Sequence, residues 1–195
     1  MYHLYHTTAI VLGSAPSGEA SKNVFLFTRE LGSLQARAQG VRLARAKLCS
    51  HITDFSFIDA WLVRGRETWR LANSVSRANF FTRMRGNETA RKIMGRASLL
   101  LRKFVPPEET HQKLFDAVMS GFSSLVKTKD ERELENIEIL LALRILYHLG
   151  YIGEPKSFLS VAEENGFGAR EFSLVSPLRR ELISVINSSL RSTGL

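Results

Sequence analysis

The sequence contains very little cysteine: Cys49 is the only one among 195 residues. A single thiol can form neither an intramolecular disulfide nor a zinc site with several thiolate ligands. No window reaches the roughly 18 uncharged apolar residues of a membrane-spanning helix, and the first ten residues lack the basic and apolar regions of a secretion signal. We therefore expect a globular protein of the reducing cytoplasm.

The chain also lacks recognisable catalytic signatures. The pair Cys49 and His51 has no nucleophile motif around it, and "GFG" at 166–168 has too few glycines for a phosphate-binding loop. The acids between Asp130 and Glu138 are explained more simply as the first turn of a helix. The histidines form no H-E-x-x-H motif; they are His3, His6, His51, His111 and His148. We expect neither enzymatic activity nor a metal or other cofactor.

Acidic residues are scarce in the first half of the chain. Residues 1–104 carry 17 Lys and Arg against 6 Asp and Glu, whereas residues 105–195 carry 10 against 13. The whole chain has a formal charge of +8, which favours a polyanionic partner. This asymmetry predicts a basic binding module joined to a neutral or acidic module that faces other proteins, the alternative being a solvated surface of uneven charge.

The basic charge is most concentrated in "AQGVRLARAKL", residues 38–48, which contains no acid. Arg42, Arg45 and Lys47 lie within it and Arg37 lies just before it. The segment separates two stretches with the patterns of β-strands. A basic loop between buried strands indicates contact with phosphates, because no acid nearby is available to pair with these side chains.

Five short apolar or alternating runs predict five β-strands in the first 76 residues. In the third run, Leu34 and Ala36 alternate with Gln35 and Arg37, as in a half-buried strand with a cationic outer face. The runs cover residues 7–13, 22–30, 33–41, 52–63 and 68–75. Five strands with a basic loop between the third and fourth are typical of a small closed barrel of the oligonucleotide-binding type, the OB-fold.

From Asn87 onward the apolar residues recur at helical spacing, with Asn87 placed to cap the first helix. The pattern predicts helices at about 87–104, 110–127, 131–149 and 177–192, the third capped by Asp130 and Glu133. The stretch from Tyr151 to Pro177 has too many helix breakers for one long element. We predict an α+β protein with an OB-fold domain at 1–80 and an all-α helical domain at 81–195.

On such a barrel, cationic side chains follow the phosphate backbone and exposed rings stack on unpaired bases. Trp69, between Thr68 and Arg70 beside a basic turn, is the best stacking candidate, whereas Phe25, Phe27, Phe55, Phe57 and Trp61 are predicted to fill the core. The predicted phosphate contacts are Lys22, Arg37, Arg42, Arg45, Lys47, Arg64, Arg66 and Arg70.

The order of several motifs resembles that of the RecO family of bacterial recombination mediators. In the helical half, "LRILYHLGYIGE" at 143–154 and "PLRRELISVINSSLR" at 177–191 resemble the family's helix ends. In the first 76 residues the resemblance rests on Gly18-Glu19, Phe27-Thr28, Gly32, the basic "QGVRLARAKL", Phe55 and Arg64-Gly65. The chain departs from the family at Gln39, where a lysine is usual. It also lacks the four-cysteine zinc module of many members and is short for the family.

The resemblance implies an N-terminal OB-fold, a C-terminal helical domain, binding of single- and double-stranded DNA, and annealing of complementary strands in recombinational repair. It also implies a cytoplasmic, nucleoid-associated protein that works with RecR, assists RecA loading and receives the acidic C-terminal tail of single-strand-binding protein. The same barrel and charge permit an RNA-binding factor of translation or RNA processing. A third reading is an adaptor whose helical half docks proteins while its basic face is incidental.

Overall fold

The computed structural model describes residues 3–39, 52–153 and 158–193. Its chain divides into two compact units, a barrel unit of Met1–Arg85 with Val105–Gln112, and a helical unit of Gly86–Phe104 with Lys113–Leu195. The fold is that of an N-terminal OB-fold domain followed by helices, as predicted from the sequence.

Five strands form the barrel unit and close on themselves in the order β1-β2-β3-β5-β4. All neighbours are antiparallel except β3 and β5, which are parallel. The strands are β1 (Leu4–Ser17), β2 (Ser21–Thr28), β3 (Gly32–Ala38), β4 (Ser56–Arg64) and β5 (Trp69–Asn79). A short helix, α1 (Phe80–Arg83), follows β5, and the Asn79 side chain caps it by accepting from the Thr82 N–H.

Alternation of inward and outward side chains, clearest in β3 and β4, builds the barrel interior. In β3 the predicted alternation is confirmed, because Leu34 and Ala36 are buried while Gln35 and Arg37 are exposed. In β4 the inward residues are Ile58, Ala60 and Leu62, which pack with their counterparts from the other strands. The hairpin between β1 and β2 is longer than its sequence pattern suggests, since pairing continues through Pro16 to Ser17.

The helical unit contains α2 (Glu88–Phe104), α3 (Gln112–Lys127), α4 (Glu131–His148), α5 (Leu159–Glu163) and α6 (Ala169–Ser192). Both predicted caps are confirmed: the Asn87 side chain accepts from the Ala90 N–H at 2.9 Å, and Asp130 accepts from the Glu133 N–H at 2.9 Å. Helix α4 is buried on most of its circumference and therefore lies at the centre of this unit.

The last helix begins at Ala169, not at Pro177 as the sequence pattern predicts. Glu171 secures the earlier start, because its carboxylate accepts the Gly168 N–H at 2.8 Å. Pro177 lies inside the helix and removes one backbone hydrogen bond. Val175 before it and Leu182 after it are both buried, and this burial holds the helix together across the proline.

One segment between helices belongs to the barrel unit: Val105–Gln112, which we call the strap. Pro107 forms a bridge with Ser33 of β3, and the Glu108 N–H donates to the Ser33 carbonyl at 2.8 Å. The Thr110 hydroxyl donates to the Glu30 carbonyl at 2.8 Å. The strap therefore lies alongside the turn between β2 and β3 and the start of β3. Among the helices of the described ranges, none is long and apolar enough to cross a membrane.

Candidate nucleic-acid interface

Strand pairing places five outward residues of the barrel side by side in one row. Asn23 lies opposite Arg37, Arg37 opposite Arg70, Arg70 opposite Val63, and Val63 opposite Leu4. We call these residues the cross-strand row. Arg37 and Arg70 are both exposed, and paired residues on neighbouring strands have Cβ atoms about 5 Å apart. Two cationic side chains at paired positions attract an anion that lies over both.

Two further predicted cations lie at the same end of the barrel. Lys22 precedes Asn23 on β2, and Arg66 is exposed in the turn between β4 and β5. The turn is closed by the Gly65 N–H, which donates to the Thr68 carbonyl at 3.0 Å. Of the residues that the structure describes, Lys22, Arg37 and Arg66 pair with no carboxylate. The structure thus brings Lys22, Arg37, Arg66 and Arg70 to one region.

A cleft of about 420 Å³ opens beside these cations. Residues of the β1–β2 hairpin, β3, the β4–β5 turn and the strap line it together: Ser17, Asn23, Leu34, Gln35, Arg37, Glu67, Thr68, Trp69, Pro107 and Glu108. The face of strands 2 and 3 and the loops that flank it are the surface on which OB-folds hold oligonucleotides. Because Glu67 and Glu108 are acidic, the cleft suits the edge of a base, with Asn23 and Gln35 as hydrogen-bonding amides, better than it suits a phosphate.

Trp69 lies at the mouth of the barrel in a cluster with Tyr5, Arg64 and Glu108, which we call the Trp69 cluster. Its indole Nε1 donates to Glu108 at 3.0 Å, Tyr5 meets the ring edge-on at 5.2 Å between centroids, and the Arg64 guanidinium lies 4.9 Å above the ring. Arg64 also pairs with Glu108. The pKa of the Glu108 carboxyl is lowered, first by the hydrogen bond from Arg64 and also by that from Trp69.

This environment corrects the prediction that Trp69 is an exposed stacking ring. Its side chain is 7% exposed and belongs to the barrel core. The physical reason is parity: Trp69 pairs with Ala36, whose side chain points inward, so the indole points inward as well. Arg64 is likewise engaged with the strap through Glu108, so its charge is locally compensated. Arg42, Arg45 and Lys47 lie outside the described residues.

The prediction that Phe57 and Trp61 fill the core is wrong. Both are half-buried and lie on the outer face of β4, because Ile58, Ala60 and Leu62 take the inward positions. His6 of β1 pairs with Trp61 in register, and their rings lie 4.7 Å apart between centroids. Phe25 and Phe55 are half-buried, and only Phe27 of the five predicted core aromatics is fully buried.

Known proteins resemble this chain over both of its units. Residues 1–87 match the family model "Recombination protein O N terminal". The chain is 26% identical over 178 residues to a protein named DNA repair protein RecO from Alkaliphilus metalliredigens, covering 88% of this chain and 70% of that protein. These matches confirm the resemblance to the RecO family.

Other relatives of the same name are matched over less of their length. The protein from Desulfitobacterium hafniense strain DSM 10664 / DCB-2 is 27% identical over 148 residues, which is 76% of this chain and 52% of that protein. The protein from Anaeromyxobacter dehalogenans is 31% identical over 120 residues, 60% of this chain and 47% of that protein. The chain therefore spans about half the length of these two RecO proteins.

Groups of side chains that could bind a metal bear on the zinc module that the sequence resemblance includes. Within residues 3–39, 52–153 and 158–193, no group of three or more His, Cys, Asp or Glu side chains is placed to hold a metal ion. Acidic and imidazole groups lie in local pairs instead: His6 Nε2 lies 3.5 Å from Asp59 and His111 Nε2 lies 3.5 Å from Glu109, and Arg77 donates to Asp59 at 2.7 Å. The hydrogen bond from Arg77 is the main reason that the pKa of Asp59 is lowered.

Proposed function

We propose that this chain is a DNA-binding protein of recombinational DNA repair. The observation that carries the proposal is the cross-strand row, in which Arg37 and Arg70 lie adjacent on the outer face of an OB-fold that resembles the RecO N-terminal domain. Phosphates follow the row, and the neighbouring cleft receives a base edge. Such spread cations bind single and double strands alike, because phosphate contacts carry little sequence information.

We further propose that binding leads to annealing without a catalytic step. Cations that neutralise two backbones allow complementary strands to approach each other, and no covalent bond has to change. The basic residues Arg42, Arg45 and Lys47, predicted from the sequence, extend the same chemistry between β3 and β4. We also propose that this protein, together with RecR and the acidic tail of single-strand-binding protein, brings the DNA to RecA.

The first experiment measures fluorescence anisotropy of a labelled single strand at several salt concentrations. Arg37→Gln and Arg70→Gln should each weaken binding and reduce the dependence of log K on log salt concentration by about 0.7 per lost phosphate contact. Arg132→Gln is the matched control, because this exposed arginine lies in the first turn of α4 in the other unit. Equal affinity and equal salt dependence of all four proteins would refute the interface.

A second experiment tests annealing and the choice of nucleic acid. The rate at which two complementary labelled strands pair should rise with wild-type protein and fall towards the spontaneous rate with Arg37→Gln combined with Arg70→Gln. The triple charge reversal Arg42→Glu, Arg45→Glu and Lys47→Glu tests the loop in the same assay. A clear preference for RNA over DNA of equal sequence would instead support the RNA-binding reading.

The proposed protein partners need a separate measurement. A synthetic peptide with the acidic C-terminal sequence of single-strand-binding protein should bind the full chain and compete with the intact protein, whereas a scrambled peptide of equal charge should not. Purified RecR should co-elute with the chain in gel filtration. Absence of both interactions would limit the proposal to DNA binding alone.

A further inference from the structure

The proposed interface so far contains cations, a cleft and the Trp69 cluster, in which Trp69 is buried and Tyr5, 36% exposed, meets the indole edge-on. Single-strand binding on OB-folds combines a cationic track with rings on which bases stack. A stacking ring must be reachable from solvent and must lie close to the cationic track.

Two rings on neighbouring strands meet both requirements: His6 on β1 and Trp61 on β4. The His6 side chain is 53% exposed and its ring is tilted by 35° against the indole, with 4.7 Å between centroids. Trp61 is half-buried beneath it. The two rings therefore form a tilted pair, which we call the stack; His6 is its more exposed member, and a third flat ring can add to it.

The stack is continuous with the cross-strand row. Val63, a member of the row, is two residues from Trp61 on the same strand, so both side chains point outward on the same face. Arg70 lies opposite Val63, and a β-bulge between the Trp61 and Leu62 pairs places one extra residue of β5 between Arg70 and Asn73, the partner of Trp61. A strand that follows Arg37 and Arg70 along the row continues past Val63 towards the stack.

The charges around the stack are compatible with a polyanion. The acid next to the stack is Asp59, which lies two residues before Trp61 on β4 and whose side chain is 15% exposed. Arg77 donates to Asp59 Oδ2 at 2.7 Å and lies 5.5 Å from the centre of the Phe57 ring, so one cation offsets the charge of this acid, while Oδ1 lies 3.5 Å from His6 Nε2. Exposed Asn73 lies opposite Trp61 and offers an amide to a base edge.

We infer that His6 and Trp61 form a stacking platform for an unpaired DNA base, at the continuation of the cross-strand row. The inference rests on the proposed function and adds its single-strand specificity: duplex DNA can contact the arginines, whereas only an unpaired base can join the stack. The platform also assigns to Trp61 the role that the sequence suggested for Trp69.

The chain provides its own reporter, because Trp61 and Trp69 are its only tryptophans. Oligothymidylate should quench the tryptophan emission of the wild-type protein, and the quenching should be lost in Trp61→Phe, which keeps a ring for stacking but removes the reporter. Duplex DNA at saturating concentration should leave the emission nearly unchanged. Quenching that persists in Trp61→Phe would place the base near Trp69 and overturn the inference.

Affinity for two strands of equal length, one with bases and one abasic, separates stacking from phosphate contact. Trp61→Leu should lower the affinity for the base-bearing strand by roughly 5- to 150-fold and leave the affinity for the abasic strand unchanged. His6→Ala should act in the same direction by a smaller factor. Phe81→Leu is the control, because its ring is 46% exposed on α1 and lies outside the row.

The outcomes distinguish failure of the platform from failure of the proposed function. If Arg37→Gln weakens binding while Trp61→Leu and His6→Ala do not, the platform is refuted and the DNA-binding proposal stands. An equal loss for base-bearing and abasic strands in Trp61→Leu would also refute the platform, since it would indicate a general disturbance of the barrel. If the wild-type protein binds neither strand at low salt, the proposed function fails and the platform fails with it.

Discussion

Substitution of Gly32 by alanine tests whether the strap is held where the structure places it. Gly32 begins β3 with φ of +70°, a conformation that favours glycine. A Cβ atom built there would lie 2.0 Å from the Glu109 carbonyl oxygen and 2.8 Å from the Glu109 nitrogen. Both atoms belong to the backbone of the strap, so the clash can be relieved only if the strap moves away from the barrel.

The expected loss in free energy of unfolding is the sum of two contributions. The left-handed backbone conformation costs an alanine roughly 1 to 2 kcal/mol. Displacement of the strap breaks the hydrogen bonds from the Glu108 N–H to Ser33 and from Thr110 to Glu30, each worth about 0.5 to 1.5 kcal/mol net. We expect Gly32→Ala to lower the free energy of unfolding of the barrel unit by about 2 to 5 kcal/mol.

Urea unfolding followed by tryptophan emission is the assay, because both tryptophans lie in the barrel unit. Gly18→Ala is a matched control: its φ is +69°, but nothing lies within 4 Å of the added Cβ. It should therefore show the backbone cost of about 1 to 2 kcal/mol alone. Equal losses in the two variants would show that the strap does not press against Gly32, and the account of the strap would be wrong.

Three further predictions concern the described side chains. Glu108→Gln should flatten the pH dependence of barrel stability. Because Arg64 lowers the pKa of the wild-type carboxyl, the carboxylate stabilises the fold above its unfolded pKa of about 4.3 and loses this effect as the pH falls. The urea midpoints of the two proteins should therefore converge in acid. Parallel midpoints from about pH 6 to about pH 3 would contradict this. Arg144→Ala should lower the free energy of unfolding of the helical unit by about 2 to 4 kcal/mol, because the buried guanidinium donates to the Gly166 carbonyl at 2.7 Å and its removal leaves a cavity. Unfolding followed by circular dichroism measures this, and a loss below about 1 kcal/mol would argue against a structural role. Asn87→Ala should cost about 1 kcal/mol in the same assay, and no change would mean that the cap is replaced by water.

Local patterns in the sequence predicted the features that depend on neighbouring residues. The alternation in β3 placed Arg37 outward, and the caps at Asn87 and Asp130 followed from side chains that accept a backbone N–H three residues ahead. The start of α6 was missed because Pro177 suggested a beginning, whereas burial of Val175 and Leu182 holds a longer helix together across it.

The strap shows what a local pattern cannot provide. Its sequence, "VPPEETH" at 105–111, predicts only that a helix ends there. Its function in the fold depends on contacts with residues far away in the chain: Ser33 pairs with Pro107, and Trp69 donates to Glu108. A glycine at the start of β3 was the one available signal, since Gly32 must accommodate the Glu109 backbone. That signal has no meaning until the partner segment is known.

The predictions for Phe57 and Trp61 were wrong because a small barrel has too little interior volume for large rings. A five-stranded barrel has a narrow interior, and here four of its buried core residues are alanines: Ala9, Ala36, Ala38 and Ala60. A large ring fits only at the mouth, where Trp69 lies, and the rings of β4 must therefore point outward. Assigning large apolar residues to the core by size alone fails in such a fold. On β4 the small residue Ala60 points inward, so its neighbour Trp61 points outward and is a candidate for binding.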